Sequence, residues 1–376
     1  MKQKALFFIS FLLGFLACNN VPQTKNASVG VDAFETHYAG GFKVLQHDNY
    51  REVLVLNPWS ASEVFARYYL VADDTTTTPA DGMRIKVPIE RLVITSPTHA
   101  GFLRELGVLD KVEGVCQPDL FYDPYLREQH VSGNIVDLGD AFRINVEKTM
   151  QLKVDLVMMS GYSQNDPYSQ RLIHAGVPVV YNNEWMEGSL LARAEWIRFV
   201  ALFVGKEEAA DSIFSEVNTQ FQTIRALGEK VESRPTVLTG SNFRGTWYMP
   251  GGGSFMAKLF ADAGADYLYQ NDSTRGSLPL HLETVIKNFA QTDVWLNCNF
   301  ATITELLQSD AKHALFAPVA ARRVYNFNRR LLPSGANDFW ETAVVRPDWL
   351  LSDVMKVLHP ELLLEHELIF TEQLKD

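Results

Sequence analysis

Residues 189 to 231 read SLLARAEWIRFVALFVGKEEAADSIFSEVNTQFQTIRALGEKV. Apolar residues recur at helical spacing through the stretch and no proline interrupts it; Gly205 marks a place for a short break. A helix of this length is a stiff rod that can run along a whole domain. What lies on either side decides what it joins.

Upstream, strand-like and helix-like runs alternate: RLVITS, HAGFLRELGVL, VEGVC, NVEKTMQL, DLVMMS, SQRLIHAG and PVVYNN, all between residues 91 and 186. Downstream the same grammar restarts after SRP, with TVLTGS, TWYMPG, SFMAKLFADAG, LETVIKNFAQ, DVWLNC and the closing RPDWLLSDVMKVLHPELL. Strands alternating with helices imply parallel pairing and a covered sheet. The fold class is therefore α/β: two lobes with parallel sheets, 91–186 and 233–376, joined by one long stiff helix over 187–232. Before them, residues 36–90 carry pieces that alternate apolar and polar (FKVLQ, EVLVLNPW, ARYYLVA) and a turn-rich DDTTTTPADG. These predict an extension of antiparallel strands forming an extra sheet beside the first lobe.

The lobes share a phrase. INVEKTMQLKVDLVMM (144–159) and LHLETVIKNFAQTDVWLN (280–297) each place an apolar residue three before a glutamate, Glu147 or Glu283. A short helical pattern follows, and an aspartate, Asp155 or Asp293, opens a strand-like run.

The 376 residues are enough for two cores, since one core rarely grows past about 250 residues. A formal charge of -11 argues against a nucleic-acid or anionic-membrane surface, which needs dense Lys and Arg. Lys2 and Lys4 precede ALFFISFLLGFLAC, too short to span a bilayer comfortably and laid out as a signal peptide. GFLAC resembles the lipobox of bacterial lipoproteins, which implies a signal over 1–18, acylation at Cys18 and a polar tether over 19–35. The mature chain is then expected outside the cytoplasm, held to the membrane by its lipid anchor only. Cys116 and Cys298 have no zinc-binding spacing and are expected as buried free thiols.

Seven stretches in order resemble one family: RLVITSPTHAGFLRELGVLDKVEGV, INVEKTMQLKVDLVMM, GVPVVYNN, VALFVGKEEAADSI, WYMPGGGSFMAKLFADAGADYL, HLETVIKNFAQTDVWLN and LHPELL. The family is the class III substrate-binding proteins of ABC importers for iron-siderophore, haem and vitamin B12, and the likeness spans residues 91 to 365. It implies two lobes on a rigid helical backbone with a ligand cleft between them, no cofactor, a monomer, and modest closure on ligand. It also implies that Glu147 and Glu283 dock to arginines of the permease dimer, a charge-assisted contact of defined geometry.

Residue chemistry points to where a ligand would sit. Thr98 and His99 follow the first strand of lobe one, at the carboxyl end of a parallel sheet. Aromatics cluster at predicted strand ends: Tyr122 and Tyr125, Tyr162, Trp185, Trp247 and Tyr248, Phe339 and Trp340. A flat macrocycle or catecholate chelate needs such walls. Arg244 and Arg275, in turn-like stretches of lobe two, suit carboxylates or iron chelates better than Arg143 and Arg346 do. MPGGGSFMAKL sets three glycines before a helix, either an anion site or a tight turn needing positive φ. NDFWET resembles the segment of B12-binding relatives in which an aspartate and an arginine four residues on touch the corrin. Asp338 keeps the first and Thr342 replaces the second. The nine histidines are dispersed, which disfavours the bare-metal branch of the family.

Ferric siderophore, haem and cobalamin all remain open as ligands. A chelatase-like or hydrolytic enzyme on a bilobal scaffold is the alternative of another class, but no GxSxG, HExxH, CxxC or Walker sequence occurs. A surface sensor or adhesion module would use the β extension in place of the cleft.

Overall fold

A computed structural model describes residues 31–376 apart from 33, 61–62 and 164–165. The expected signal peptide over 1–18, with Cys18, and the expected tether up to residue 30 lie outside the described residues. Among the described residues no helix is long and apolar enough to cross a membrane.

The chain opens with a five-stranded sheet in sequential order: β1 (Val31–Asp32), β2 (Phe42–Gln46), β3 (Arg51–Leu56), β4 (Val64–Val71) and β5 (Met83–Lys86). The first four strands pair antiparallel; β5, reached through the DDTTTTPADG segment, runs parallel to β4.

Lobe one follows as β6 (Leu92–Ile94), α1 (Pro97–Glu105), β7 (Val112–Val115), α2 (Pro124–Val131), β8 (Val136–Asp137), α3 (Val146–Leu152), β9 (Leu156–Met159), α4 (Pro167–His174) and β10 (Val179–Tyr181). Its sheet has the order β10-β9-β6-β7-β8 and every pair is parallel. β6, β9 and β10 are buried throughout, which is why they read as unbroken apolar runs.

The segment expected as one helix over 187–232 is two. α5 (Leu190–Val204) ends at Gly205, whose φ of +68° closes the helix in the left-handed region, and α6 (Glu207–Glu229) begins two residues on. The pair turns back on itself, so that Arg198 Nε of α5 meets Asp211 Oδ1 of α6 at 2.7 Å. Every residue of α5 except Arg198 is buried, as expected for a helix apolar on all sides. α6, about 34 Å long at the usual rise, follows lobe one in sequence and packs on α12 (Pro347–Leu358) of lobe two.

Lobe two comprises β11 (Val237–Thr239), β12 (Asn242–Phe243), β13 (Thr246–Pro250), α7 (Phe255–Asp262), β14 (Ser277–Leu280), α8 (Leu282–Phe289), β15 (Val294–Leu296), α9 (Ile303–Ser309), α10 (Ala317–Ala320), β16 (Val324–Asn326), α11 (Asp338–Val345), α12 (Pro347–Leu358) and β17 (Glu372–Gln373). Its main sheet runs β11-β15-β16-β17, parallel except for β17, and β12-β13-β14 form a small antiparallel sheet.

Two devices fix the parts together. The Glu195 carboxylate of α5, fully buried, accepts the backbone N–H groups of His37, Tyr38 and Ala39 at 2.8–2.9 Å. Glu187 accepts those of Gly40 and Gly41 and the indole N–H of Trp196. With Phe42 edge-on to Trp196 and Phe199, these contacts make the N-terminal sheet part of the lobe-one core. Between the lobes, α1 packs directly on α11 at Gly101, where any Cβ would collide with the Glu341 carbonyl. There the Glu341 carboxyl oxygens accept the N–H groups of Tyr122 and Asp123, and Arg104 donates to Thr342 Oγ1 at 2.7 Å.

Candidate ligand site between the lobes

The carboxyl ends of β9 and β10 feed two loops that face the space between the lobes. Asn183 Oδ1 accepts the Gly161 N–H at 2.8 Å and ties one loop to the other. Tyr162 and Trp185 on these loops and Phe142 from the β8–α3 segment form an aromatic row: Phe142 and Tyr162 have ring centroids 4.7 Å apart, Tyr162 and Trp185 5.4 Å. Tyr162 is 48% exposed, so one of its sides is free for another ring or a chelate.

Next to this row lies a cavity of about 550 Å³ with three kinds of wall. Gly41, Leu56, Asn57 and Pro58 come from the N-terminal sheet, Asn183 and Glu187 from lobe one, Lys258 and Arg275 from lobe two. A second cavity of about 340 Å³, lined by Asn57, Trp59, Ser60, Tyr162 and Ser163, shares Asn57 with the first. A third of about 160 Å³ shares Tyr162 and reaches Phe142 and Tyr181. Together they form one trough, cationic at the lobe-two end and aromatic at the other.

The polar groups of the trough favour an anionic guest. Burial pushes the Glu187 carboxyl up, against the opposing pull of the Trp196, Gly40 and Gly41 donors and of Arg275. Its oxygens are already taken by those donors, which leaves Lys258 and Arg275 available to a ligand. Asn183 is only 3% exposed, and its Nδ2 has no hydrogen-bond acceptor among the described residues. A buried donor without a partner at a cavity wall is a place for a ligand oxygen.

Of the residues singled out in the sequence, Tyr162, Trp185 and Arg275 are brought to this region. Tyr248, Arg244 and Trp340 are exposed on lobe two but do not line the trough. Four others are placed elsewhere by burial. Trp247 is 0% exposed, packed on Trp295 and donating its indole N–H to Thr239 O. Phe339 stacks on Phe327 with the rings 5.0 Å apart. Asp338, 1% exposed, is engaged by Arg330 at 2.8 Å and by the Thr342 hydroxyl. His99 is enclosed beside Ser160, and burial alone pulls its pKa down to about 3, so it stands neutral in the core. Thr98 is buried with its hydroxyl 2.9 Å from the Ser96 N-cap, and half-buried Tyr122 serves the interlobe contact through its backbone. Tyr125 lies exposed on α2.

The three glycines of MPGGGS are neither an anion site nor a positive-φ turn. The N–H groups of Gly251 and Gly253 donate to the carbonyls of Gly276 and Thr274, and a Cβ at any of the three would strike backbone of residues 269–274. Close backbone approach is the reason for glycine here. Cys116 and Cys298 are buried free thiols, each pushed up to about 12 by burial. Among the described residues no group of three His, Cys, Asp or Glu could hold a metal ion.

The sequence model of the periplasmic binding proteins matches residues 92–328. The chain belongs to the periplasmic binding protein family. A curated relative, an uncharacterized lipoprotein of Methanocaldococcus jannaschii, is 22% identical over 287 residues, covering 74% of this chain and 67% of the relative. Among solved structures, the haem-binding protein RhuT of Roseiflexus is 20% identical with a TM-score of 0.56, over 71% of this chain and 97% of that one. The vitamin B12 binding protein BtuF of Vibrio cholerae is 16% identical with a TM-score of 0.54, over 74% and 99%. Members of this family are substrate-binding proteins of transport systems. In this binding protein β1–β5 precede the matched segment, yet they supply one wall of the trough.

Proposed function

We propose that this chain is the substrate-binding lipoprotein of an ABC importer that captures an iron chelate, a ferric siderophore or haem, between its lobes and delivers it to the permease. The observation that carries the reading is the trough itself: Lys258, Arg275 and the unpartnered Asn183 donor at one end, Tyr162 and its aromatic neighbours at the other. Such a site suits a ligand with a flat conjugated face and acidic groups. The solved relatives of similar fold include proteins named for haem and for vitamin B12, which supports a metal-organic cargo here.

Cobalamin is the second reading within the family. Asp338, the residue that suggested it, is engaged by Arg330 and Thr342 and is buried, so it lends that reading no support.

Delivery would use Glu147 and Glu283. Both are exposed and stand in the first turn of a short helix, α3 or α8, one on each lobe; Glu283 pairs with Lys312 at 3.5 Å. Anchoring through acylated Cys18 would keep the protein at the membrane, next to that partner. Titration with haemin, a ferric tris-catechol siderophore and cyanocobalamin, followed by intrinsic tryptophan quenching, tests the reading. Saturable quenching by one of the first two is expected. Binding of cyanocobalamin alone would transfer the assignment to the second reading, and no binding of any would overturn it.

A further inference from the structure

The N-terminal sheet lies before the segment that matches the family, yet Asn57, Pro58, Trp59 and Ser60, which follow β3, stand where the cavities of about 550 Å³ and about 340 Å³ adjoin. We infer that residues 57–60 are a third wall of the ligand site, with Trp59 as the ligand-contact residue and Asn57 holding it in place. The inference rests on the reading of the trough as the place where ligand is held.

The turn is built to hold Trp59 still. Asn57 Oδ1 accepts the Trp59 N–H at 2.9 Å, Asn57 N–H donates to Glu63 O at 2.9 Å, and Asn57 Nδ2 reaches the Glu63 carboxylate at 3.2 Å. Pro58 between them fixes one more backbone angle. The sheet behind the turn cannot drift from lobe one, because Glu195 and Glu187 grip the backbone of residues 37–41.

Despite this, the Trp59 indole remains 45% exposed. One edge leans on Phe65 at 5.6 Å, and Phe65 in turn meets Tyr181 of β10 at 4.8 Å. The rest of the ring lines the cavity that Tyr162 lines from lobe one. A large apolar ring left half in solvent by the hydrogen bonds of Asn57, with a second aromatic lining the same cavity, makes a pair of walls for a flat conjugated chelate. Acidic groups of the same ligand then extend toward Asn183, Lys258 and Arg275.

The full mature chain and its Trp59→Ala and Trp59→Phe variants are to be titrated with haemin and with a ferric tris-catechol complex. The visible absorbance of the probe is the readout, so that loss of an indole does not alter the signal. Loss of one stacking wall is expected to weaken the bound probe by about tenfold in Trp59→Ala, with Trp59→Phe within about threefold of the parent. Equal affinity of parent and Trp59→Ala would overturn the third wall and leave the proposed function standing. A parent that binds no probe would overturn both. Should Trp59→Ala fail to fold, Trp59→Gln provides the same comparison.

Discussion

Asp155 and Asp293 do the same work in the two lobes. Each stands just before a central parallel strand, β9 or β15, and turns its Oδ2 to the start of the neighbouring strand: Asp155 accepts the N–H groups of Glu90 and Arg91, Asp293 that of Thr236, all at 2.8–2.9 Å. Parallel strands leave such N–H groups without ladder partners at their open end, and the carboxylates supply them. The shared phrase thus has two functions, a strand clamp at its aspartate and an exposed carboxylate at its glutamate.

Asp155→Ala and Asp293→Ala should each lower stability by about 1–2 kcal/mol, the net value of hydrogen bonds to a charged group at a partly solvated site. Urea midpoints with unchanged slope would register the loss. Wild-type midpoints in both variants would contradict the clamp.

Gly101→Ala should be among the more damaging surface-to-surface changes between the lobes, because its methyl would meet backbone of α11 that has no room to move. Overpacking of this kind costs about 1–3 kcal/mol. A drop in melting temperature is the check, and an unchanged one would mean that the two helices separate easily.

Much of this architecture was legible before any coordinates. Lobe one could be read because β6, β9 and β10 are buried on both faces and each is one uninterrupted apolar run. The stretch 187–232 reads as one helix because α5 and α6 are both strongly helical in pattern; Gly205 marks the break, but its pattern does not say that α6 folds back along α5. β8, β12 and β17 are two residues each and carry no periodic signal of their own. At the site, residue type did not separate Trp185 and Tyr162, which stand at the cleft, from Trp247 and Phe339, which fill the core: all four are aromatic and close to strand ends or turns. Lys258 was hidden in the first turns of α7, and Trp59 in an NPWS turn of a sheet that no cleft was expected to touch. Which sheet faces which lobe is a tertiary fact, and no local pattern encodes it.

Glu341 should give the protein a distinct pH response. Burial pushes its carboxyl from 4.5 up to about 8, with Asp123 and Asp338 adding to the rise against the Tyr122 N–H and Arg104. A carboxyl whose pKa is raised by folding stabilises fully below its unfolded pKa, and this stabilisation is lost as pH rises through the folded value. Parent stability should therefore contain a component that falls between about pH 4.5 and about pH 8, and Glu341→Gln should lack it. Melting temperatures of the two proteins across this range give the comparison; parallel curves would contradict the assignment. His99, held neutral by burial, works in the opposite direction on acidification, but is present in both proteins and cancels in the difference.

The double variant Glu147→Ala, Glu283→Ala should fold and bind ligand as the parent does, since both side chains are exposed and the Glu283–Lys312 pair is a surface one of little weight. Uptake of the cargo by cells that depend on this protein should be lost. Normal uptake, or lost binding in the folded double variant, would contradict the docking role.

The central claim, that cargo is held between the lobes with its acidic groups on lobe two, is tested most directly by calorimetric titration of haemin and a ferric tris-catechol complex into the parent and into Lys258→Ala, Arg275→Ala. The account predicts a single saturable site in the parent, weakened by at least about tenfold in the double variant, the equivalent of one charge-assisted hydrogen bond. Tight binding that is unchanged when both cations are removed would contradict it.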